Sequence, residues 1–411
     1  MDATKLGNFG ETSRGFAEAL YLLLPWLSKF RLSALRQKSG GTWPDARVST
    51  PEHSMGIVWF VDVSAPAINR DAGSNRLLEI VRDFQDHGYL TIFSSLDGSH
   101  INQETVDFLD GKLVEAGFIT TRALFLAEGA RFSFVWCSRL VGARFVRPLI
   151  KSNSLNCKFV YDTVDLHGKR IASYGQVLSS PIFRLLGTLI LLQEIGMAKK
   201  FDATIAVSQG EQLLLEMKGV PTTLVGTVVE MRPNLVPWRE RRGQIFVANF
   251  AHIPNVQGLT WYLKKVWPLL NIELKNQGLI IVGSNAPQFL LSYADKNIEF
   301  IGRVDILDPI LQSARVSIAP IISGAGVNGK ITEAMSQLVA VATTPLGAEG
   351  VGLTSGLNCL IGDTPQEFAH AVELLCTNEV LNSLVANNAR DLASERFSRA
   401  RLTEKLNQLR R

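Results

Sequence analysis

The sequence has little of what marks several classes of protein. It has four cysteines in 411 residues and no CxxC pair, which excludes a disulfide framework and a cysteine-based zinc site and indicates a reducing cytoplasm. Charged residues make up only 19% and hydrophobic residues 46%, so the chain is not intrinsically disordered. Its 42 basic and 38 acidic residues leave a net charge of +4, too small to favour nucleic acid as the main partner. At about 150 residues per domain, the length predicts two or three domains.

The N-terminal region lacks a signal peptide and a membrane-spanning run. The longest early apolar stretch, 19–27, is interrupted by Pro25 and is shorter than the roughly 20 residues that a span requires. A basic segment follows it. An apolar body with a basic flank predicts an interfacial helix on an anionic leaflet, with peripheral membrane contact through residues 16–38. The alternative is a helix packed on the protein body. We interpret residues 1–50 as an extension or linker ahead of the first strand.

Short β-branched runs alternate with helical segments along the rest of the chain. In the first block we predict strands at 57–63, 89–94, 133–137, 158–161 and 203–207, with helices that include 76–85, 102–116 and 181–200. The pattern restarts with strands at 244–247, 279–282, 299–301, 316–320 and 339–343, and helices that include 255–270 and 330–338. This alternation predicts an α/β fold of two Rossmann-like, doubly wound parallel-sheet domains.

The two blocks set the predicted domain limits. A Pro-containing charged stretch at 230–242 separates them, which gives a first domain at 51–232 and a second at 233–388. A C-terminal helix at 389–411 is predicted to complete the first domain. In folds of this kind ligands bind beyond the carboxyl ends of the strands, here in an interdomain cleft.

A glycine-rich loop follows one of the later strands. Its sequence, from Gly324 to Gly329, has the GxGxxG spacing that lets backbone N–H groups and a helix N-terminus approach an anion. A dinucleotide site also needs a carboxylate after the next strand, but that strand ends in Thr343-Thr344-Pro345. Instead, Glu333 lies inside the helix, either as a ribose acceptor for a mononucleotide or as a residue that complements the helix dipole. Lys330, one turn earlier, is positioned to pair with a diphosphate.

Longer runs around this loop resemble a known signature. Residues 320–335 and 340–351 look like the donor-binding signature of family 4 glycosyltransferases of GT-B fold, the glycosyl transferases group 1. Segments 161–167, 250–255 and 300–304 fit the same branch, and the similarity covers about residues 57–400. The resemblance implies a nucleotide-sugar donor, retaining transfer, an active site in the cleft, no obligatory metal and no cofactor. It also implies that the last helix returns to the first domain.

The resemblance assigns roles in the second domain residue by residue. Glu333 matches the second glutamate of an acidic pair and would bind the ribose hydroxyls. Ala325 stands where the first glutamate would contact the donor sugar, and Asn249 stands where many members have an arginine for the diphosphate. That loop also has no residue that matches the lysine with which many members bind the diphosphate. Lys330 and Arg303 are therefore predicted to neutralise the diphosphate charge. The other predicted donor-binding residues are Gly283, Val304, Gly324, Gly326, Val327 and His252.

Three residues of the first domain are further candidates. Gly73 follows the first strand and would let backbone reach the donor phosphate or the acceptor, unless the segment is a plain helix cap made by Ser74. Asp165 and His167 follow the 158–161 strand and would hold sugar or acceptor hydroxyls, with a purely structural His167 as the alternative. His252 and Asn255 in the second domain either touch ligand or simply start a helix.

We therefore predict a cytoplasmic enzyme, at or near the inner face of the membrane. It would be a retaining, metal-independent glycosyltransferase whose donor is a nucleotide sugar and whose acceptor is a glycan or a lipid-linked molecule, in bacterial-type cell-surface polysaccharide synthesis. The predicted catalytic residues are Lys330, Glu333, Asp165 and His167. The alternatives are a nucleotide-sugar epimerase of the same fold and a non-catalytic module in a glycan-synthesis complex.

Overall fold

The structure is a computed structural model, and it describes residues 17, 19–20, 22–23, 54–68, 70–116, 132–150, 157–324 and 326–411. The chain divides into two compact units. The first comprises the chain up to Val228 together with Leu402–Arg411, and the second is Val229–Arg401. The predicted 1–50 extension and the proposed membrane segment 16–38 lie outside the described residues, apart from five helical positions. Among those, Ala19 and Leu22 are buried.

The first unit is a seven-stranded parallel sheet covered by helices. Its strands are β1 (Gly56–Asp62), β2 (Tyr89–Ser95), β3 (Leu113–Glu115), β4 (Phe132–Ser138), β5 (Lys158–Asp162), β6 (Ala203–Ala206) and β7 (Thr222–Leu224). Its helices are α1 (Ala72–Asp86), α2 (Gln103–Phe108), α3 (Arg139–Ile150), α4 (His167–Val177), α5 (Pro181–Ala198) and α6 (Gln209–Met217). The order β3-β2-β1-β4-β5-β6-β7 reverses direction between β1 and β4. That reversal is the place where doubly wound sheets bind ligands.

The second unit is a six-stranded parallel sheet with the same arrangement. Its strands are β8 (Gln244–Val247), β9 (Leu279–Val282), β10 (Ile298–Gly302), β11 (Val316–Ala319), β12 (Ala340–Thr343) and β13 (Leu360–Ile361). Its helices are α7 (Ile253–Trp261), α8 (Ile272–Gln277), α9 (Gln288–Leu291), α10 (Asp308–Ser313), α11 (Gly329–Ser336), α12 (Pro345–Val351), α13 (Pro365–Thr377) and α14 (Glu379–Phe397). The order β10-β9-β8-β11-β12-β13 reverses between β8 and β11. The predicted α/β class with two doubly wound parallel sheets is confirmed.

The last helix, α15 (Arg399–Arg410), belongs to the first unit from Leu402 onward. Leu402, Leu406 and Leu409 lie in the apolar core of that unit. Asp83 on α1 pairs with the guanidinium of Arg410 and accepts a hydrogen bond from the Thr403 hydroxyl. The final helix is therefore an integral layer of the first unit.

The observed unit limits differ from the predicted domain limits at 232/233 and 388/389. The second unit begins at Val229, before the predicted limit. Val229 donates its N–H to the Phe397 carbonyl of the same unit, 2.9 Å away. It also extends further, because Ala389, Ala393 and Phe397 of α14 are buried in its core. Helix α14 ends at Phe397, and the chain leaves this unit after Arg401, in the first turn of the next helix.

Several predicted elements differ from the observed ones in length. The helix predicted at 102–116 is wrong in its second half, since α2 ends at Phe108 and Leu113–Glu115 is a strand. Asp110 and Gly111, both with positive φ, stop the helix. The helix predicted at 255–270 is regular only to Trp261 and continues as a π-turn (Tyr262–Val266) and a 3-10 turn (Trp267–Leu269) ahead of Leu270. All four cysteines are free and buried.

A buried ion pair joins α1 to the sheet of the first unit. Arg76 on α1 contacts both carboxylate oxygens of Asp162 at 2.8 and 3.0 Å, and the two side chains are only 2% and 1% exposed. Trp136 Nε1 donates to the same carboxylate at 3.2 Å, and Arg76 Nε donates to the Val225 carbonyl at 2.8 Å. Asp162 is therefore the acceptor that neutralises a buried guanidinium.

Asp162→Ala is expected to lower the free energy of unfolding of the first unit by about 3–5 kcal/mol, because it leaves the Arg76 charge buried without a counterion. Urea denaturation followed by tryptophan fluorescence measures this. Lys112→Ala is the control, since its pair with Asp110 is exposed. It should cost about 1 kcal/mol or less. Equal losses in the two variants would contradict the role of the buried pair.

Candidate functional site

The glycine loop of the second unit joins β11 to α11 at the point where the sheet reverses. Helix α11 begins at Gly329, and its N-cap residue Asn328 makes no side-chain capping bond. No hydrogen bond from the backbone N–H groups of 326–330 occurs within the described part of the chain. These donors and the positive end of the helix dipole face the carboxyl edge of the sheet. The arrangement is a site for an anion such as phosphate.

The loop glycines carry backbone angles that other residues rarely adopt. Gly324 has φ +134° and Gly326 has φ +77°. A Cβ on Gly350 of α12 would lie 2.3 Å from the Gly326 carbonyl oxygen, so α12 packs directly against the loop. Val327 is half-buried beside the core of the unit. Ala325, predicted at the donor-sugar position, lies outside the described residues.

Lys330 lies on the first turn of α11. Its Nζ donates to Asn255 Oδ1 at 2.8 Å and is 4.3 Å from the centroid of the Phe246 ring. No carboxylate pairs with it among the residues that the structure describes. Burial lowers the pKa of Lys330 to about 7. The lysine thus has no anionic partner in the described structure and lies next to the N–H groups of the loop, so a bound anion would stabilise its charged form.

Glu333 lies on α11 one turn after Lys330 and is half-buried. Burial raises the pKa of Glu333; Asp308 adds to the effect, and Arg232 opposes it. Asp308 itself is paired with Arg232. Within the described ranges no hydrogen bond reaches the Glu333 carboxylate, so its oxygens are available to hydroxyl donors.

Three asparagines link the neighbouring loops to Lys330. Asn255, at the start of α7, donates to the Asn249 carbonyl at 2.8 Å while it accepts from Lys330. The Asn249 side chain accepts from the N–H of Ala251 at 2.9 Å and from Asn285 at 3.2 Å. Asn249 therefore organises two loops instead of presenting a charge. For Asn255 the sequence left a ligand contact and a helix start as alternatives, and the bond to Lys330 was not predicted.

The remaining predicted donor-binding residues lie at the same edge of the sheet. Gly283, after β9, donates its N–H to the Gly302 carbonyl at the end of β10, 2.7 Å away. Arg303 is exposed, with no ion pair in the described part of the chain, and Val304 is half-buried against the core. His252 is exposed and precedes α7 without capping it. The structure thus brings Asn249, His252, Gly283, Arg303 and Lys330 to loops that follow neighbouring strands.

Gly283 is the tightest of these positions. It has φ +149°, and a Cβ there would lie 1.6 Å from the Ala248 carbonyl oxygen. Gly283→Ala should lower the free energy of unfolding by about 3 kcal/mol, because the backbone at residues 283 and 248 must move apart to make room for the methyl group. Gly302→Ala is the matched control, since Gly302 has φ +82° but nothing within 4 Å. It should cost about 1 kcal/mol, measured by the same denaturation. A larger loss at Gly302 would contradict this ranking.

The first unit has a second cluster, where its own sheet reverses. Asp71, not Ser74, caps α1, since the Asp71 side chain accepts from Ser74 N at 2.8 Å. A Cβ on Gly73 would lie 3.2 Å from Val164 Cγ1 and 3.4 Å from Arg139 Nη2. Arg139 and Val164 have φ of +63° and +61°, strained values for such residues. Gly73 therefore lies between two strained residues that follow β4 and β5. The sequence did not predict these two residues as part of a site.

Arg139 and Asp165 carry the charge of this cluster. Arg139 pairs with Asp62, at the end of β1. Burial lowers the pKa of Arg139, but the carboxylates of Asp62, Asp165 and Asp71 outweigh it and raise the pKa above its usual value. Asp165 Oδ2 accepts from Arg170 Nη1 at 2.5 Å. Strain and paired charges at a ligand-binding edge are typical of functional sites.

His167 begins α4 and is buried, in line with the structural alternative for this residue. Glu194 of α5 accepts from His167 N at 3.0 Å and from Gly168 N at 3.0 Å, and lies 3.2 Å from His167 Nδ1. Burial lowers the pKa of His167, but Asp165 and Glu194 outweigh this and raise it. Glu211 accepts from Leu166 N, and burial raises its pKa to about 7. Two carboxylates therefore cap this helix, and its N-terminus is not an anion site.

Residues 241–378 match the family model described as glycosyl transferases group 1. The match contains the glycine loop, Lys330 and Glu333. The matched segment lies within the second unit. One curated relative, "Uncharacterized 44.6 kDa protein in cps region" from Klebsiella pneumoniae, is 32% identical over 135 residues. The matched part covers 30% of this chain and 34% of the relative, so the chain spans about a third of that protein's length.

Solved structures match most of the chain, beyond the segment that the family model covers. Anabaena HepE in complex with UDP and glucose has a TM-score of 0.65 at 13% identity, over 86% of this chain and 99% of that chain. Sucrose-phosphate synthase from Thermosynechococcus elongatus has a TM-score of 0.64 at 13% identity, over 86% and 98%. The lipopolysaccharide outer core galactosyltransferase WaaB has a TM-score of 0.56 at 11% identity, over 86% and 98%. The chain has the GT-B fold, and the predicted resemblance is confirmed.

Proposed function

We propose that this chain is a retaining glycosyltransferase that transfers a sugar from a nucleoside-diphosphate sugar to a glycan or lipid-linked acceptor. The observation that carries the proposal is the start of α11, where N–H groups without partners in the described structure and Lys330 are followed one helical turn later by Glu333. The N–H groups and the lysine suit a diphosphate, and the carboxylate suits the hydroxyls of a ribose.

The proposed chemistry is stabilisation of a leaving group. The bond between the anomeric carbon and the phosphate oxygen breaks, the acceptor oxygen bonds to that carbon on the same face, and the hydroxyl proton passes to the leaving diphosphate. Lys330 and the N–H groups of 326–330 would stabilise the charge that develops on the diphosphate. The reaction as written requires no metal or cofactor. Asp165 would hold a hydroxyl group in the first unit, with His167 positioned behind it.

The comparisons support the donor class and the setting. HepE has been solved with UDP and with UDP-glucose, WaaB is a lipopolysaccharide galactosyltransferase, and the name of the curated relative places it in a cps region. We infer a role in cell-surface polysaccharide synthesis on the cytoplasmic side of the membrane, with peripheral contact through residues 16–38. The base would lie against the backbone near Gly283 and Arg303.

A non-catalytic module is the second candidate, and two substitutions favour it. Ala325 and Asn249 stand where the resemblance predicts a glutamate and an arginine. The Asn249 side chain bonds only to neighbouring loops in the described structure. On this alternative the anion site would bind a nucleotide without turnover.

A nucleotide-release assay with UDP-, GDP- and dTDP-sugars separates the candidates. The purified chain is incubated with each donor, with and without a panel of free mono- and disaccharide acceptors. Release that depends on acceptor, with the donor's anomeric configuration kept in the product by NMR, is the expected result. Interconversion of the free sugar nucleotide would identify an epimerase instead. Absence of turnover despite nucleotide binding would support the non-catalytic module.

A further inference from the structure

Helix α5 presents an unusually apolar outer face. Ile182, Leu185, Leu189 and Leu192 are 60%, 61%, 41% and 59% exposed. Their spacing of three, four and three residues places them along one side of the helix, and we call these four residues the outer stripe. Four large aliphatic side chains in a row mark an interaction surface more strongly than scattered exposed leucines do.

The inner face of α5 is fixed by close packing against α4. A Cβ on Gly187 would lie 2.5 Å from the backbone nitrogen of Ala172, and one on Gly168 would lie 2.3 Å from that of Leu191. On the same side, buried Glu194 accepts the N–H groups at the start of α4. Rotation of α5 would break these contacts, so the outer stripe is held facing outward.

Alone among the described helices, α5 is long and apolar enough to cross a membrane by length and composition. Crossing would take Glu194 away from the N–H groups that it caps and place a carboxylate in hydrocarbon. The fold therefore favours a helix that lies in an interface over one that spans it.

The charged residues of the helices around the outer stripe are mostly basic, and of these Arg139 and Arg170 are paired with Asp62 and Asp165. Helices α3, α4 and α5 with Lys199 and Lys200 contain eight basic residues and one acidic residue, the buried Glu194. Because the whole chain carries +4, the remaining residues carry a net −3. Four of the cations are exposed: Arg147, Arg184, Lys199 and Lys200. A second copy docked on this face would bring like charges together, whereas an anionic surface would complement them.

The N-terminal segment lies next to the same helices. The Arg144 guanidinium of α3 donates both to the Leu22 carbonyl and to the Gln193 side chain of α5. Arg144 therefore links the Leu22 carbonyl to Gln193, the residue that follows Leu192 of the outer stripe.

We propose that the outer stripe of α5 docks in the plane of an anionic lipid bilayer, with Arg184, Lys199 and Lys200 against the headgroups. The apolar side chains enter the headgroup–acyl boundary, as in interfacial amphipathic helices, and the cations add an electrostatic attraction that salt screens. This proposal concerns the first unit and does not depend on the transfer reaction proposed above.

Vesicle flotation of the full chain tests it. Wild type should float with vesicles of phosphatidylcholine and phosphatidylglycerol, should float much less with phosphatidylcholine alone, and should be released by added salt. The double variant Leu185→Glu/Leu192→Glu should bind the anionic vesicles at least about tenfold more weakly. Arg184→Ser should weaken binding about fivefold at low salt.

The matched control is Leu213→Glu/Met217→Glu on α6. This control adds the same two negative charges as the α5 double variant. It also replaces two apolar residues of the same unit, which are 53% and 85% exposed. It should bind vesicles like wild type, and all variants should keep the wild-type thermal midpoint. The proposal is overturned if wild type does not float, or if both double variants lose binding equally. It is also overturned if light scattering shows a vesicle-free dimer that only the α5 variant dissociates.

Discussion

Glu333→Gln should bind a nucleoside diphosphate about a hundredfold more weakly than the wild type. The carboxylate lies one turn into α11, half-buried, without a hydrogen bond in the described structure. Two ribose hydroxyls donating to it would contribute about 1.5–3 kcal/mol each, and every 1.4 kcal/mol is tenfold in affinity. Glutamine keeps the size of the side chain but loses its charge and one acceptor oxygen.

Isothermal titration calorimetry with UDP, GDP and dTDP measures this loss for whichever nucleotide the wild type binds. Glu273→Gln on α8 is the control, since that glutamate is exposed in the first turn of another helix of the same unit. The pKa of Glu333 is raised by burial, so the wild-type affinity should also fall as the pH drops through that pKa. Wild-type affinity in Glu333→Gln would remove this residue from the donor site.

Lys330→Met should have two opposite effects, a loss of nucleotide binding and a gain in the stability of the free protein. The lysine would contact the diphosphate, so its loss should weaken binding by about a hundredfold. In the free protein, however, an aromatic ring and one amide oxygen neighbour its ammonium group, and no carboxylate of the described residues pairs with it. Methionine fills a similar volume without a charge to desolvate, so the thermal midpoint should rise by several degrees.

The stability gain should depend on pH in a defined direction. Burial lowers the pKa of Lys330 from 10.5 to about 7 in the folded chain. Between these values the unfolded chain holds a proton that the folded chain has released. The destabilisation of the wild type by its buried lysine charge is thus fully present below about pH 7 and fades as the pH rises toward 10.5. The higher thermal midpoint of Lys330→Met should fade with it. Thermal unfolding across this range measures the trend.

Nucleotide binding should take up a proton in the wild type above about pH 7, because a bound diphosphate favours the charged lysine. Calorimetry in buffers of different ionisation enthalpy detects this uptake, and Lys330→Met should not show it. Lys296→Met, at an exposed lysine of the same unit, controls for the loss of one charge. Proton uptake that persists in Lys330→Met would assign the titration to another group.

The position of the candidate donor site was predictable, but its internal contacts were not. The glycines, Lys330 and Glu333 are consecutive features of one strand-loop-helix unit, so local sequence places them together. The bond from Lys330 to Asn255 joins residues 75 positions apart, and no periodicity encodes such a contact. The resulting shift of the lysine pKa follows from packing around the ammonium group, which the sequence does not show.

The first unit illustrates why part of the fold was missed. Helix α4 contains Gly168 and Gly175, which lower helix propensity, and it forms because these glycines allow close contact with α5. Strands β7 and β13 are three and two residues long, too short for an alternating pattern. The strain at Arg139 and Val164 is likewise not visible in the sequence, since neither residue type is one that favours the left-handed region.

The C-terminal helix has a consequence for how this protein is made. Leu402, Leu406 and Leu409 complete a core whose other members are encoded before residue 229. A ribosome therefore releases a complete second unit before the first one has all of its core, although domains in general fold in order of synthesis. During translation this core remains incomplete, and the Phe84 ring lacks the Arg410 guanidinium that packs on it, until α15 has been synthesised. A chain that stops before Leu402 would thus fail in the part that was synthesised first.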